Sequence, residues 1–389
     1  MKQKTLNRLK IITSNTVRQI IISVFSVAIP FMVIHNSSKE IWGTFVSVLL
    51  YTLMALQIIN WGNKEYLLRE FSKNPSKIAI TFSENLSTRF PLVILSVVVG
   101  LFLFPFSYCF WLTIWVFGRF LIHSIEALLV YEKKFIKSVF VELFSFLVFG
   151  ILFCFFQSVI DTYLIVVLYS IYQFLKGLLY FYILKKNFLL RKFFFKVDYF
   201  KVSFPFFLLS ILGFLASKID VYLVHYFLSK KVLSDYQIIN SLLVFIMSFA
   251  VFVYGPFTKN IYRSKENVIT KSKRIMLFLC LFIIPISILF IYLVLYYYLQ
   301  LKFSFLFYFL CFLYVFPSYI YGVDIVNLFK QNQQFKVVKY SFLIVLLNLL
   351  LSSLFLHLNY EIIGVLAGSA ISQLVGLILF SKNLNKYAF

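Results

Sequence analysis

The stretch FPLVILSVVVGLFLFPFSYCFWLTIWVFG, residues 90–118, runs 29 positions without an Asp, Glu, Lys or Arg. Roughly 20 apolar residues cross a hydrocarbon core ~30 Å thick as a helix, so this run is too long for one crossing. Phe-Pro-Phe-Ser at 104–107 breaks it, because proline stops a helix and restrains the residue before it. The stretch therefore reads as the end of one membrane span and the start of the next.

Eight other runs lack charge over comparable lengths: Gln19–Ser38, Ile41–Asn63, Leu143–Ile160, Tyr236–Thr258, Ile275–Leu301, Phe303–Val323, Tyr340–Tyr360 and Ile362–Ser381. Of the 389 residues 62% are hydrophobic and 13% charged, and mean hydropathy is +0.92. Soluble domains carry about 45–50% apolar and about 25% charged residues, which excludes that class. The sequence predicts an all-α polytopic membrane protein with spans at 13–34, 41–61, 80–103, 107–130, 136–157, 162–184, 203–228, 236–257, 274–299, 304–328, 338–358 and 362–382. The first run is full length and has no small-residue cleavage site, so it is expected to remain as the first helix. Cys109, Cys154, Cys280 and Cys311 lie in apolar runs without CxxC spacing and read as packing residues.

Twelve spans put alternate connections on opposite sides. Connections on the side of the amino terminus hold 28 of the 37 Lys and Arg, the opposite ones hold four, and five lie within spans. The positive-inside rule then places both termini in the cytoplasm. It also accounts for the net charge of +23 through topology and anionic lipid headgroups, with no nucleic acid required.

The longest basic connection, KKNFLLRKFFFKVDYFK (185–201), divides the chain into six plus six spans. The expected organisation is an amino-terminal six-helix lobe (1–190), a basic cytoplasmic linker (191–202) and a carboxyl-terminal six-helix lobe (203–389). SKEIWGTF (38–45) aligns with SKKVLSDY (229–236), each at the outer turn after the first helix of its half. An even number of spans per half gives a parallel repeat about the membrane normal, and transporters built this way bind substrate near the midplane.

FPFFLLSILGFLASKIDVYLVHYFLSKKVLSDYQIINSLL (204–243) resembles the opening of the second half of Wzx-type polysaccharide-export flippases. These belong to the multidrug/oligosaccharidyl-lipid/polysaccharide (MOP) exporter superfamily, which includes the MATE transporters. Pro205, Ile219-Asp220 and Tyr236 match the family pattern, Ser234 replaces its glycine, and WGTF (42–45) with NKEYLLREFSKN (63–74) matches the first half. The resemblance implies two lobes that alternate access and a carrier of undecaprenyl-pyrophosphate-linked oligosaccharide for O-antigen or capsule assembly. It also implies a bacterial cytoplasmic (inner) membrane setting, contact with other polysaccharide-assembly membrane proteins, and no cofactor beyond a coupling H+ or Na+. A multidrug or cation antiporter of the same superfamily is the alternative.

Charges within spans are costly, at about 2.5–3.5 kcal/mol each on insertion scales, and usually face a cavity or a counter-charge. At 100° per residue Arg119, His123 and Glu126 fall within about 60° of one another on one helix face with Trp115. Arg119 is read either as a phosphate ligand, with His123 or Glu126 coupling to protons, or as part of an internal Arg–His–Glu brace. Arg89, Lys176 and Lys218 are the further candidates for cavity cations, with snorkelling to the interface the alternative for Lys176. Lys218 and Asp220 lie about 200° apart around their helix, so they are expected to face different ways. Lys218 is assigned to the cavity, on the face of His225; Asp220 is assigned to a neighbouring helix or a coupling cation. Arg18, Glu84, Glu142 and Asp324 lie nearer span ends and are expected to reach water. The excess of Arg and Lys in the first half favours an anionic, pyrophosphate-bearing substrate, since Arg matches phosphate bidentately. Pro30, Pro205, Pro256, Pro285 and Pro317 are possible hinge points or packing kinks.

No P-loop, GxSxG, HExxH or dinucleotide fingerprint is present. A membrane polymerase or glycosyltransferase should carry a sizeable outer loop with acidic or Arg-rich residues. The outer loops here are a handful of residues each, so no enzyme is expected.

Overall fold

The structure is a computed structural model that describes residues 2–187, 195–254, 266–331 and 333–382. Those residues are helical throughout their regular structure, and twelve segments are long and apolar enough to cross a membrane. Part of the expected linker (191–194) and Pro256 lie outside the described residues.

The chain divides into two compact units, Met1–Ile211 and Leu212–Phe389. The first unit contains α1 (Lys2–Asn36), α2 (Lys39–Asn60), α3 (Asn63–Lys73), α4 (Ile78–Leu103), α5 (Phe106–Glu132), α6 (Phe135–Phe155) and α7 (Thr162–Leu184). The division falls within α8 (Asp198–Phe227). The second unit continues with α9 (Lys230–Tyr254), α10 (Glu266–Leu293), α11 (Phe305–Lys330), α12 (Gln334–His357) and α13 (Glu361–Lys382).

The break at Phe104–Pro105 stands where the sequence put it, ending α4 and opening α5. The connection after the second span does not. Residues 64–77 were expected as a loop, yet Asn63–Lys73 form α3, set off by left-handed backbone at Trp61 (φ 43°) and Gly62 (φ 65°). Leu67 and Phe71 recur four apart and are buried against Ile125, Leu128 and Tyr180, so a short apolar stripe stabilises a segment otherwise rich in charge. Gly62 is required on two counts: its φ is unfavourable for other residues, and a Cβ would lie 2.6 Å from the Phe206 backbone.

The surface is apolar and the polar groups are inside, as a hydrocarbon solvent demands. Ile94, Leu95, Phe140, Leu147, Ile286 and Phe305 are exposed, whereas Arg89, Glu142, Asp220 and Asp324 are buried. Within the helices Thr52, Ser124, Ser145 and Ser170 donate to carbonyls four residues back, which satisfies their hydroxyls without water. α5 packs along α7 at small residues: a Cβ on Gly118 would meet Gln173 O at 2.6 Å, and one on Gly177 would meet Gly118 O at 2.6 Å. In the second unit α13 packs on α11 and α12.

The short repeat has a physical counterpart in each unit. Ser38 Oγ accepts from Ile41 N (3.2 Å) at the start of α2, and Ser229 Oγ accepts from Val232 N (3.4 Å) at the start of α9. The closing aromatics Phe45 and Tyr236 are both buried.

Candidate functional site

In the first unit Glu126, Glu142 and Arg89 sit in satisfied groups, and Arg119 does not. Glu126 on α5 is gripped by Arg18 on α1, with Nη1 to Oε1 at 3.1 Å and Nη2 to Oε2 at 2.7 Å. Lys64 Nζ lies 3.5 Å from the same carboxylate. This fork-to-fork pair is the strongest geometry available to a guanidinium. Arg18 is 3% exposed, so it does not reach water as its position near a span end implied. A counter-charge inside the bundle makes the longer route unnecessary.

Glu142 and Lys176 form a second buried pair, joining α6 to α7. Tyr180 OH donates to Glu142 Oε1 at 2.8 Å and lies 2.7 Å from Ser138 Oγ, and Lys176 Nζ sits 5.8 Å from the Tyr172 ring centroid. Glu142 too is held inside and not at the interface.

Arg89 is fully buried with neutral acceptors only. Nε donates to Asn85 Oδ1 (3.0 Å), Nη1 to Ile59 O (3.3 Å) and Nη2 to Ser124 Oγ (2.7 Å), over the Phe120 ring at 5.2 Å. It ties α4 to α2 and α5 in this conformation.

Arg119 differs from the others. It lies on the face of α5 shared with His123 and Glu126, is partly exposed, and forms no hydrogen bond or ion pair among the described residues. Trp115, one turn earlier, is buried, stacked on Phe45 and edge-on to Tyr169. His123 is also partly exposed; its carbonyl accepts from Asn63 Nδ2 at 3.2 Å. Of the five expected site residues of this unit, Arg119, His123 and Glu126 share a face, whereas Arg89 and Lys176 belong to separate hydrogen-bonded groups.

In the second unit Asp220 on α8 is bound by α9. Tyr236 OH donates to Oδ2 at 2.8 Å, Asn240 Nδ2 donates to Oδ2 at 3.2 Å, and Val221 N donates to Oδ1 at 2.8 Å. Two residues of the family-like pattern, Asp220 and Tyr236, thus meet in one hydrogen bond. Lys218 Nζ donates to Asn240 Oδ1 at 2.5 Å. The two faces expected from helical angles are bridged by Asn240, one turn after Tyr236, into a single Lys–Asn–Asp chain. His225 Nε2 lies 3.1 Å from Lys230 Nζ instead of acting with Lys218. Asp324 is buried and pairs with Lys273, linking α11 to α10.

Sequence reasoning did not find Asn240, Tyr180 or Ser138, because neutral polar residues carry no charge signal in an apolar run. Asn240 was within reach: it stands four positions after Tyr236, on the same helix face.

This arrangement of two compact helical units with internal ion pairs, and with Arg119 unpaired among the described residues, has the fold of membrane transporters. No family model and no curated protein matches the sequence. Among solved structures, the lipid II flippase MurJ in an inward closed conformation is similar at TM-score 0.73 and 15% identity, covering 97% of this chain and 87% of that one. The Vibrio cholerae MATE transporter VcmN in the bent form is similar at TM-score 0.57 and 11% identity, covering 99% of each chain. The eukaryotic MATE transporter AtDTX14 gives TM-score 0.56 and 13% identity, covering 98% of this chain and 96% of that one. MurJ and the MATE transporters are both members of the MOP superfamily, and this chain shares their fold.

Proposed function

We propose that the chain is a flippase that moves a lipid-pyrophosphate-linked oligosaccharide from the cytoplasmic to the outer leaflet of the bacterial cytoplasmic membrane, for O-antigen or capsule assembly. Arg119 carries the reading. It is a guanidinium on a membrane-spanning helix, partly exposed and without an ion pair among the described residues, and the carboxylates Glu126 and Glu142 of the same unit are paired with Arg18 and Lys176. A cation in that position gains most from an anion that arrives with the substrate, and a pyrophosphate matches its bidentate donors. The greater likeness to a lipid II flippase than to MATE transporters supports the same class. Undecaprenyl as the lipid carrier and cytoplasmic termini follow from the sequence resemblance and the Lys/Arg bias.

Transport by such a carrier draws on an ion gradient. Glu126, His123 and Asp220 are the coupling candidates, since either carboxylate could exchange its present donors for a proton or Na+ and the imidazole can take up a proton. A cation antiporter is the second reading, favoured by these same paired carboxylates and by the MATE likeness.

Gene deletion followed by leaflet-resolved analysis of lipid-linked intermediates tests the proposal. The expected outcome is complete repeat units retained in the cytoplasmic leaflet. Loss of sugar incorporation would point to a transferase, and drug sensitivity with normal surface glycan to an antiporter.

A further inference from the structure

A cleft of about 320 Å³ opens in the first unit where α3 meets the start of α4, with Lys196 and Tyr199 on its far wall. Its volume is at the lower end of small-molecule pockets, about 300–1,000 Å³. Glu84 lines it; its carbonyl accepts from Thr88 Oγ1 at 2.7 Å, and its carboxylate forms no hydrogen bond or ion pair among the described residues. Asn85, 3% exposed, accepts from Arg89 Nε at its Oδ1, and its Nδ2, beside Tyr199, has no well-aligned acceptor. Lys77 and Lys196 are exposed at the rim. The cleft therefore offers one uncommitted carboxylate and two ammonium groups a short way from it. That pattern suits a small ligand that carries both an ammonium and an anion.

Depth identifies the source. The helical stretch Pro75–Leu103 has 29 residues. At 1.5 Å per residue it is about 43 Å long, against ~30 Å of hydrocarbon. Its far end is fixed in the apolar layer by Phe102 (85% exposed) and Phe106 (83% exposed). Counting roughly 20 residues back from Leu103 reaches Glu84, so the cleft lies at the headgroup layer. Ile80, Glu84, Ile94 and Val98 also fall on one stripe of α4, and Ile80, Ile94 and Val98 are exposed. An acyl chain laid along that stripe leads into the cleft.

We infer that this cleft is a binding site for the headgroup of a zwitterionic amino-phospholipid of the phosphatidylethanolamine type. Glu84 receives the ammonium, Lys77 and Lys196 flank the phosphate, and the Ile94–Val98 stripe carries an acyl chain. The primary ammonium matters because it donates hydrogen bonds to a carboxylate, which a trimethylammonium cannot do.

Native mass spectrometry of the purified full-length protein, titrated with dioleoyl-phosphatidylethanolamine, -phosphatidylcholine or -phosphatidylglycerol, tests the site. The expected result is at least fivefold preference for the ethanolamine lipid. Glu84→Gln should remove that preference, and Lys77→Gln with Lys196→Gln should weaken all three lipids. Lys231→Gln, far from the cleft in sequence and on α9, should change nothing. Should Glu84→Gln fold poorly, a phosphatidylethanolamine with a diazirine next to its headgroup serves instead on the wild-type protein, with crosslinks expected in residues 66–88 and 196–199. Equal binding of ethanolamine and choline lipids, crosslinks elsewhere, or displacement of the lipid by free glucosamine would overturn the inference.

Discussion

Glu126 lies on one helix face with Arg119 and His123, and helical angles alone put the three together. Its actual ligand is Arg18, 108 positions earlier in the chain, which no periodicity could supply. A buried pair of this kind is costly to break from one side, at about 3–5 kcal/mol, because the remaining charge is left uncompensated. Glu126→Gln should therefore lower the unfolding temperature in detergent markedly, whereas Arg18→Met combined with Glu126→Met should recover most of the loss. Equal destabilisation by the single and double variants would contradict the pairing. At Asp220 the legible part was the Asp–Tyr pattern, and the missing part was Asn240, an uncharged residue whose role appears only when α8 and α9 are side by side. Tyr236→Phe removes a hydrogen bond to a buried carboxylate and should cost about 1–3 kcal/mol, read by thermal unfolding. No change in unfolding temperature would remove that bond from the account.

At the scale of elements, sequence reading worked where covalent geometry dictates the outcome and faltered where packing does. Pro105 ended a span by removing an N–H and restricting its neighbour, so the boundary between α4 and α5 was legible. α3 was not, because its charge content masks the Leu67–Phe71 stripe that only the surface of α5 makes useful. The start of α8 at Asp198, ahead of the expected 203, has a similar cause: an acidic residue in the first turn favours the positive end of the helix dipole. The contact of α5 with α7 gives a sharp test. Gly118→Ala pushes a methyl against Gln173 O and should destabilise, while Gly150→Ala, with nothing within 4 Å on α6, should be neutral or stabilise by up to about 1 kcal/mol. Thermal unfolding of the two variants side by side decides it, and equal effects would mean that α5 and α7 do not approach closely.

For the whole molecule, span count and charge bias were visible at once, since both follow from the cost of polar groups in hydrocarbon. The repeat was visible only as eight residues, because two units can keep one fold while sharing little more than a capping serine and a buried aromatic. The orientation can be checked in cells with Cys154→Ser as background. Cysteines at Lys231 should react with a membrane-impermeant thiol reagent, and those at Lys137 and Lys336 only after permeabilisation; the reverse pattern would invert the topology. Transport itself is tested most directly in proteoliposomes that carry a lipid-pyrophosphate-linked oligosaccharide in the inner leaflet, read by its exposure to an external glycosidase. The account predicts protein-dependent exposure that falls at least tenfold in Arg119→Ala at unchanged unfolding temperature, with Arg119→Lys in between. No protein-dependent exposure, or full activity of a folded Arg119→Ala variant, would contradict it.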